Sequence, residues 1–308
     1  MRVVVTGSSG FIGTALTSAL EQRGDRVVRL TRGGATSAGP TWDPDNGTIS
    51  TLAFEGADAV VHLAGVGIGD KKWSPEQKRA VLDSRTKGTT LLARTLAELP
   101  QRPPVLVSGS AVGYYGDAGD AVLDESSPNG DDFLADVCRQ WEAATEPAAQ
   151  AGIRVVNLRT GIVLHPDGGA LKRLLTPFRL GLGGRVASGK QWMSWIARPD
   201  EIGAILHAID HDTVAGPVNL TAPNPMTNAQ LTKTLGHVLH RPTVLPTPLL
   251  PLKMIYGAEL VHSLLVIGQR ALPRGLEATG YAFTYADLET ALRALLAPMP
   301  AGENRPAS

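Results

Sequence analysis

Cysteine is nearly missing from this sequence: Cys138 is the single one in 308 residues. That excludes an intramolecular disulfide and fits a reducing compartment. Net charge is missing as well, because 29 lysines and arginines face 29 aspartates and glutamates. With no excess of either sign there is no long-range pull toward nucleic acid or an acidic membrane surface, and neither is expected as a partner. No apolar run approaches the length of a bilayer span. The strand pattern begins directly after Met1 and leaves no room for a signal peptide, so a cytoplasmic location is expected. A metal-ligand set is absent too. His207 and His211 share a helical stretch, but without an H-E-x-x-H pattern or a third ligand, and no metal is expected. What remains is a composition of 43% hydrophobic and 19% charged residues, that of a globular chain long enough for one large domain or two smaller ones.

Within it, Thr6-Gly7-Ser8-Ser9-Gly10-Phe11-Ile12-Gly13 follows the apolar run Val3-Val4-Val5 and precedes a helical pattern of Ile12, Ala15, Leu16, Ala19 and Leu20. A strand that feeds a glycine-rich turn and then a helix suits a dinucleotide, because bare backbone N–H groups and the helix N-terminus can face a pyrophosphate. The spacing is G-x-x-G-x-x-G, one residue longer at its first step than the usual fingerprint. The second strand ends in Leu30-Thr31-Arg32, where an NAD site would carry an acid for the ribose 2′-hydroxyl. Arg32 offers instead a planar cation suited to a 2′-phosphate, so NADP (NADPH) is favoured over NAD.

Strands are expected at 2–5, 26–30, 59–63, 105–108 and 154–158, with a late one near 218–221, alternating with helices. That pattern predicts an α/β fold, a doubly wound parallel (Rossmann) sheet whose strands are covered on both faces. Ser74, Pro75 and Gln77 form a helix-start signal for a helix running to Pro100. A second helix is expected over 132–150, with Phe133, Val137, Trp141 and Ala144 at helical spacing, and a further one over 200–211. Thr227 with Gln230, and Thr284 with Asp287, are later capping signals. Residues 165–195 are glycine-interrupted and read as an excursion lining a pocket, with Gln191-Trp192-Met193-Ser194-Trp195 as the candidate substrate contact.

Several segments carry a family resemblance. The loop at 7–13, Val61-His62-Leu63-Ala64-Gly65, Ser108-Gly109-Ser110 leading to Tyr114-Tyr115-Gly116, and Asp124-Glu125 with Pro128 resemble the extended short-chain dehydrogenases/reductases, the NAD-dependent epimerase/dehydratase family, over residues 1–222. Trp42-Asp43-Pro44, the 158–164 and 177–184 stretches and Gly268-Gln269-Arg270-Ala271-Leu272-Pro273 resemble a narrower sugar-nucleotide epimerase branch with a small C-terminal domain of unknown function, which extends the likeness over nearly the whole chain. The resemblance implies an NADP-binding Rossmann domain over 1–222, with the 165–195 excursion, and a smaller C-terminal α+β substrate domain over 223–297; the Pro/Gly/polar composition of 298–308 itself predicts a flexible tail. The resemblance also implies that Gly7, Ser9, Gly10, Phe11, Ile12 and Gly13 hold the pyrophosphate and that Arg32 contacts the adenosine phosphate. Leu63, Ala64 and Gly65 would pass under adenosine and ribose, and Ser108, Thr160 and Gly161 would flank the nicotinamide. A homodimer through the two long helices is the further implication. His62 reads as a strand residue that satisfies a local hydrogen bond.

One departure limits the functional reading. Family members pair a tyrosine with a lysine four residues on, the lysine lowering the phenol pKa for proton transfer. Here Phe133 and Val137 stand at those positions, and no Tyr-x-x-x-Lys occurs anywhere. Ser110 and Tyr115 become the candidate catalytic residues, with Tyr114 beside them. A phenol of ordinary pKa near ~10 needs a cationic neighbour for that work, Arg159 or Arg85 being the candidates. Cys138, next to the lost lysine position, reads as an inert core residue. Two readings stay open: an NADP-dependent oxidoreductase or epimerase acting on a small polar substrate, a nucleotide sugar being one candidate, and a non-catalytic NADP-binding sensor or interaction protein.

Overall fold

The computed structural model describes residues 1–33 and 39–297. Gly34, the second glycine of the loop after Arg32, and the 298–308 tail lie outside the described residues. The strands are β1 (Arg2–Thr6), β2 (Arg26–Arg32), β3 (Thr41–Asp43), β4 (Thr48–Ile49), β5 (Ala59–His62), β6 (Val105–Ala111), β7 (Val122–Leu123), β8 (Arg154–Thr160), β9 (Ile162–His165), β10 (Trp192–Met193), β11 (Trp195–Ala197), β12 (Gly216–Leu220), β13 (Met226–Thr227) and β14 (Arg270–Ala271). Between them run α1 (Phe11–Gln22), α2 (Pro75–Glu98), α3 (Phe133–Ala143), α4 (Glu146–Gln150), α5 (Gly169–Arg179), α6 (Arg198–Asp210), α7 (Asn228–Leu239), α8 (Leu249–Tyr256), α9 (Ala258–Val261), α10 (Arg274–Ala278) and α11 (Leu288–Leu296).

Eight strands form one sheet in the order β12-β8-β6-β5-β1-β2-β3-β4, parallel except for the outer β3–β4 pair. The apolar runs that gave no alternation in the sequence are sorted by the pleat into two cores. Val3, Val5, Val61, Val107 and Leu158 face α1 and α6 through Leu16, Leu20, Ile202 and Ile205. Val4, Leu30, Val60 and Leu106 face the other way, onto Leu92, Ala93 and Leu96 of α2. This is the doubly wound arrangement expected, and the expected strands are present with their ends displaced by a few residues. The strand order reverses beside β1, and the crevice at the carboxyl ends there is where an open α/β sheet takes its ligand.

Ser74 caps α2 by accepting from the Gln77 N–H, with Pro75 in the first turn. A complete capping box forms at Thr227 and Gln230 of α7. The 284–287 signal resolves to Asp287, which accepts from the Thr290 N–H, while the Thr284 N–H goes to Asp200. The single helix expected over 132–150 is two. Pro147 lacks the N–H that would continue the ladder to Ala143, so α3 ends and α4 restarts.

The 165–195 excursion and the C-terminal helices share one core. Leu171, Leu175 and Phe178 of α5 pack with Trp195, with Leu231 and Leu235 of α7, and with Leu288 and Leu292 of α11. That body is stitched to the sheet side by the parallel β7–β14 pair and by Gln269, whose side-chain amide donates to the Gly116 carbonyl.

Candidate cofactor and substrate site

The glycines of the first loop are there because neighbours leave no room for a side chain. Gly7 has φ +68°, and a Cβ on it would stand 2.7 Å from the Leu63 carbonyl carbon and 2.8 Å from Ala64 N. A Cβ on Gly13 would overlap the Gly7 carbonyl oxygen. The turn therefore lies directly on the backbone that continues β5, and the first turn of α1 lies on the turn. Gly10 N-caps α1 without a side-chain cap, and Ser9 and Gly10 are exposed at the crevice while Phe11 and Ile12 are half-buried. Beneath them His62 is fully buried between Thr6 Oγ1 (2.7 Å) and Thr89 Oγ1 (3.0 Å). Burial, with the Arg85 cation nearby, pushes its pKa down to about 4, so the ring is neutral and serves the local hydrogen bond read for it.

A groove of about 430 Å³ is lined by Arg32, Pro44, Asp45, Val66, Glu76, Arg79, Asp83 and Ser84. Two cations, Arg32 at the end of β2 and Arg79 on α2, thus face one cavity. Arg85, one turn and a half further along α2, is buried. Its guanidinium donates to the Val66 and Val81 carbonyls, lies 4.9 Å from the Trp141 ring, and would meet a Cβ on Gly65 at 3.4 Å.

A second cavity, about 200 Å³, opens at the ends of β6 and β8. Its wall includes Ala111, Thr160, Gly161, Gln191, Trp192 and Gln269, and Asp132 is the one charged residue among the described residues that line it. Asp132 caps α3, accepting from the Ala135 N–H at 2.8 Å. Gln191 donates to the Val186 and Leu265 carbonyls, which leaves its Oε1 buried without a partner among the described residues. Trp192 donates its indole N–H to Asp120 (2.8 Å) and carries the Arg270 guanidinium 4.2 Å from its ring. The 191–194 contact segment thus reaches the cavity, whereas Trp195 is fully buried in the core.

Ser110 and Tyr115 are linked to each other but turned from this cavity. Ser110 Oγ donates to Glu142 (2.7 Å), Glu142 is bridged by Arg159 at 2.8 and 2.9 Å, and Arg159 donates to the Tyr115 hydroxyl (3.1 Å). That hydroxyl in turn donates to Asn219 Oδ1 (2.7 Å). The cation sought for the phenol is present, yet burial outweighs it and pushes the Tyr115 pKa up to about 12. Neither residue lines the cavity, so the catalytic role expected of them does not follow from their placement. Ser108 is fully buried behind the same strand end. Phe133 stacks edge-on against Trp73 (5.1 Å), Val137 is buried, and burial pushes the Cys138 thiol up to about 12. An additional acid, Glu201 of α6, lies fully buried against Thr160, whose Oγ1 donates to it at 2.9 Å.

Known proteins show the same arrangement of segments. The NAD dependent epimerase/dehydratase family matches residues 3–220, and a domain of unknown function matches residues 247–295. An epimerase family protein of Mycobacterium bovis is 43% identical over 291 residues, 94% of this chain and 96% of its own length. The crystal structure of human epimerase family protein SDR39U1, with NADPH, superposes with a TM-score of 0.87 at 38% identity over 96% of this chain and 99% of that one. A nucleoside-diphosphate sugar epimerase from Corynebacterium glutamicum gives a TM-score of 0.79 at 37% identity, over 96% of this chain and 58% of that one.

Proposed function

The chain belongs to the NAD dependent epimerase/dehydratase family, and we propose that it is an NADPH-dependent oxidoreductase or epimerase acting on a small polar substrate in the cavity beside Thr160. The observation that carries the reading is the fit of the first loop: Gly7 and Gly13 lie where any Cβ would strike backbone, and α1 begins at Gly10 with no side-chain cap on its N-terminus. Gly7, Ser9, Gly10, Phe11, Ile12 and Gly13 would hold the pyrophosphate. Arg32, joined by Arg79, would take the 2′-phosphate, and Leu63, Ala64 and Gly65 would floor the ribose. Thr160 and Gly161 would border the nicotinamide, which when bound supplies hydride transfer. The presence of NADPH in the human relative's crystal structure supports the choice of cofactor. In this reading residues 1–222 form the cofactor domain and 223–297 close the substrate side.

The cavity wall favours a neutral substrate. A nucleoside diphosphate needs cations to meet its charge, and the one charged lining residue among those described is the anion Asp132. Gln191 Oε1 is an open acceptor for a hydroxyl or amide donor instead. The competing sensor reading draws on Phe133 and Val137. Among the described residues no helix is long and apolar enough to cross a membrane.

A paired titration tests the cofactor. Wild type should bind NADPH at least tenfold more tightly than NADH, and Arg32→Ala should erase most of that ratio; equal affinities in wild type would refute the assignment. Consumption of NADPH with a panel of neutral carbonyl compounds and nucleotide sugars then separates enzyme from sensor.

A further inference from the structure

Phe133 and Val137 remove the family's acid–base pair, so a reaction here needs another proton source. Glu201 sits in the first turn of α6 with none of its surface exposed. Thr160, the last residue of β8, donates to its Oε1 across 2.9 Å and lines the cavity. Glu201 Oε2 has no hydrogen-bond partner among the described residues. Its titratable neighbours among the described residues include Tyr281, whose hydroxyl is taken by Asp200, and the charged residues beside it on α6 are engaged with other groups. Asp200 accepts from the Tyr281 hydroxyl and from the Thr284 and Tyr285 N–H groups, and Arg198 lies against His165 and Asp167. A fully buried carboxylate with one bare oxygen and a single neutral hydroxyl donor is the expensive form of this side chain, and the protonated acid is the cheap one. Burial accordingly pushes its pKa up to about 8.

We propose that Glu201 is the proton source of this site, acting through the Thr160 hydroxyl on a substrate oxygen in the cavity. This rests on the NADPH-dependent reading above. When a carbonyl carbon accepts hydride from NADPH, the C=O π pair moves onto oxygen. The Thr160 O–H bond breaks and its proton bonds to that oxygen. The Glu201 acid proton passes to Thr160 Oγ1, and Glu201 is left as a carboxylate. Delivery draws on the acid form whose proton sits on Oε1, the oxygen facing Thr160; its hydrogen turns toward Thr160 Oγ1 as the Thr160 hydrogen turns toward the substrate oxygen. After product leaves, water returns a proton through the same hydroxyl. Thr160 touches the substrate in this scheme, and Glu201 is a positioning residue that acts through it.

Infrared spectroscopy of the cofactor-free protein gives the first arm. Wild type at pH 7 should show the C=O stretch of a protonated carboxylic acid, fading as pH rises through about 8. Glu201→Gln should lack the band, and Thr160→Val should shift it. In the second arm, with NADPH and a carbonyl substrate from the panel, Glu201→Gln should lower kcat about a hundredfold with KM little changed. The fall of kcat above pH 8 should vanish with it, and Thr160→Ser should rescue what Thr160→Val loses. No acid band at pH 7, or a wild-type kcat and pH profile in Glu201→Gln, overturns the proposal. If wild type consumes NADPH with nothing on the panel, the oxidoreductase reading fails and proton delivery fails with it, while the band, if present, still marks Glu201 as protonated.

Discussion

Replacing Glu201 with glutamine should change how stability depends on pH, whatever the protein's substrate. In the unfolded chain this carboxyl titrates near its ordinary value of 4.5, and in the fold it holds its proton to about 8. Below pH 4.5 both states are protonated and the side chain costs nothing extra. As pH rises from there the unfolded chain releases the proton while the fold retains it, so stability falls by about 1.4 kcal/mol per pH unit. By pH 8 the loss approaches about 5 kcal/mol and then levels, because the folded state ionises as well. Glu201 lies in the first turn of α6, and the helix dipole favours its anion, which trims the loss by up to about 1 kcal/mol. That is a large share of a folding free energy of about 5–15 kcal/mol. Glu201→Gln keeps the acceptor for Thr160, places no charge in the core, and should be free of this slope. Urea unfolding of both proteins at intervals from pH 4.5 to 8.5, at matched ionic strength, reads the difference directly. The curves should meet at the acid end and diverge as pH rises, with the variant more stable. Parallel curves would refute the reasoning, since every other titrating group is common to the two proteins.

Gly13→Ala places a methyl on the Gly7 carbonyl oxygen and should cut NADPH affinity at least tenfold by calorimetry; unchanged affinity would remove the first loop from cofactor binding. Arg159→Met leaves the Glu142 carboxylate without its cation and takes a partner from Tyr115, so urea unfolding should register a loss of about 3–5 kcal/mol. A loss below about 1 kcal/mol would show that the network contributes little.

What could be read ahead of the structure was what lies close along the chain or follows a simple period. The 7–13 loop, the Ser74 cap and the apolar strands belong to that class. Helix 132–150 failed at Pro147, where its N-terminal-turn tolerance and its breaking effect compete, and only the continuation of the ladder decides between them. The placing of Ser110 and Tyr115 was not legible for a different reason. Position at a strand end fixes a backbone, but Glu142, Arg159 and Asn219 decide where a hydroxyl points, and they come from three other elements. Glu201 gave no signal at all. Asp200-Glu201 after Pro199 reads as an ordinary acidic first turn, and its burial beside Thr160 exists only once α6 is packed against the sheet.

The two cavities are also assembled on different schedules. The first loop needs only β1, α1 and the backbone after β5, all within the first 65 residues. The substrate wall waits for Gln269, and the β7–β14 pair and the Gln269–Gly116 bond that secure it join segments roughly 150 residues apart. Because chains emerge from the ribosome amino end first, a nascent molecule can build its cofactor cradle well before it has anywhere to put a substrate. Cofactor present once residues 1–222 have emerged would bind the folding sheet and hold it together while residues 223–297 arrive.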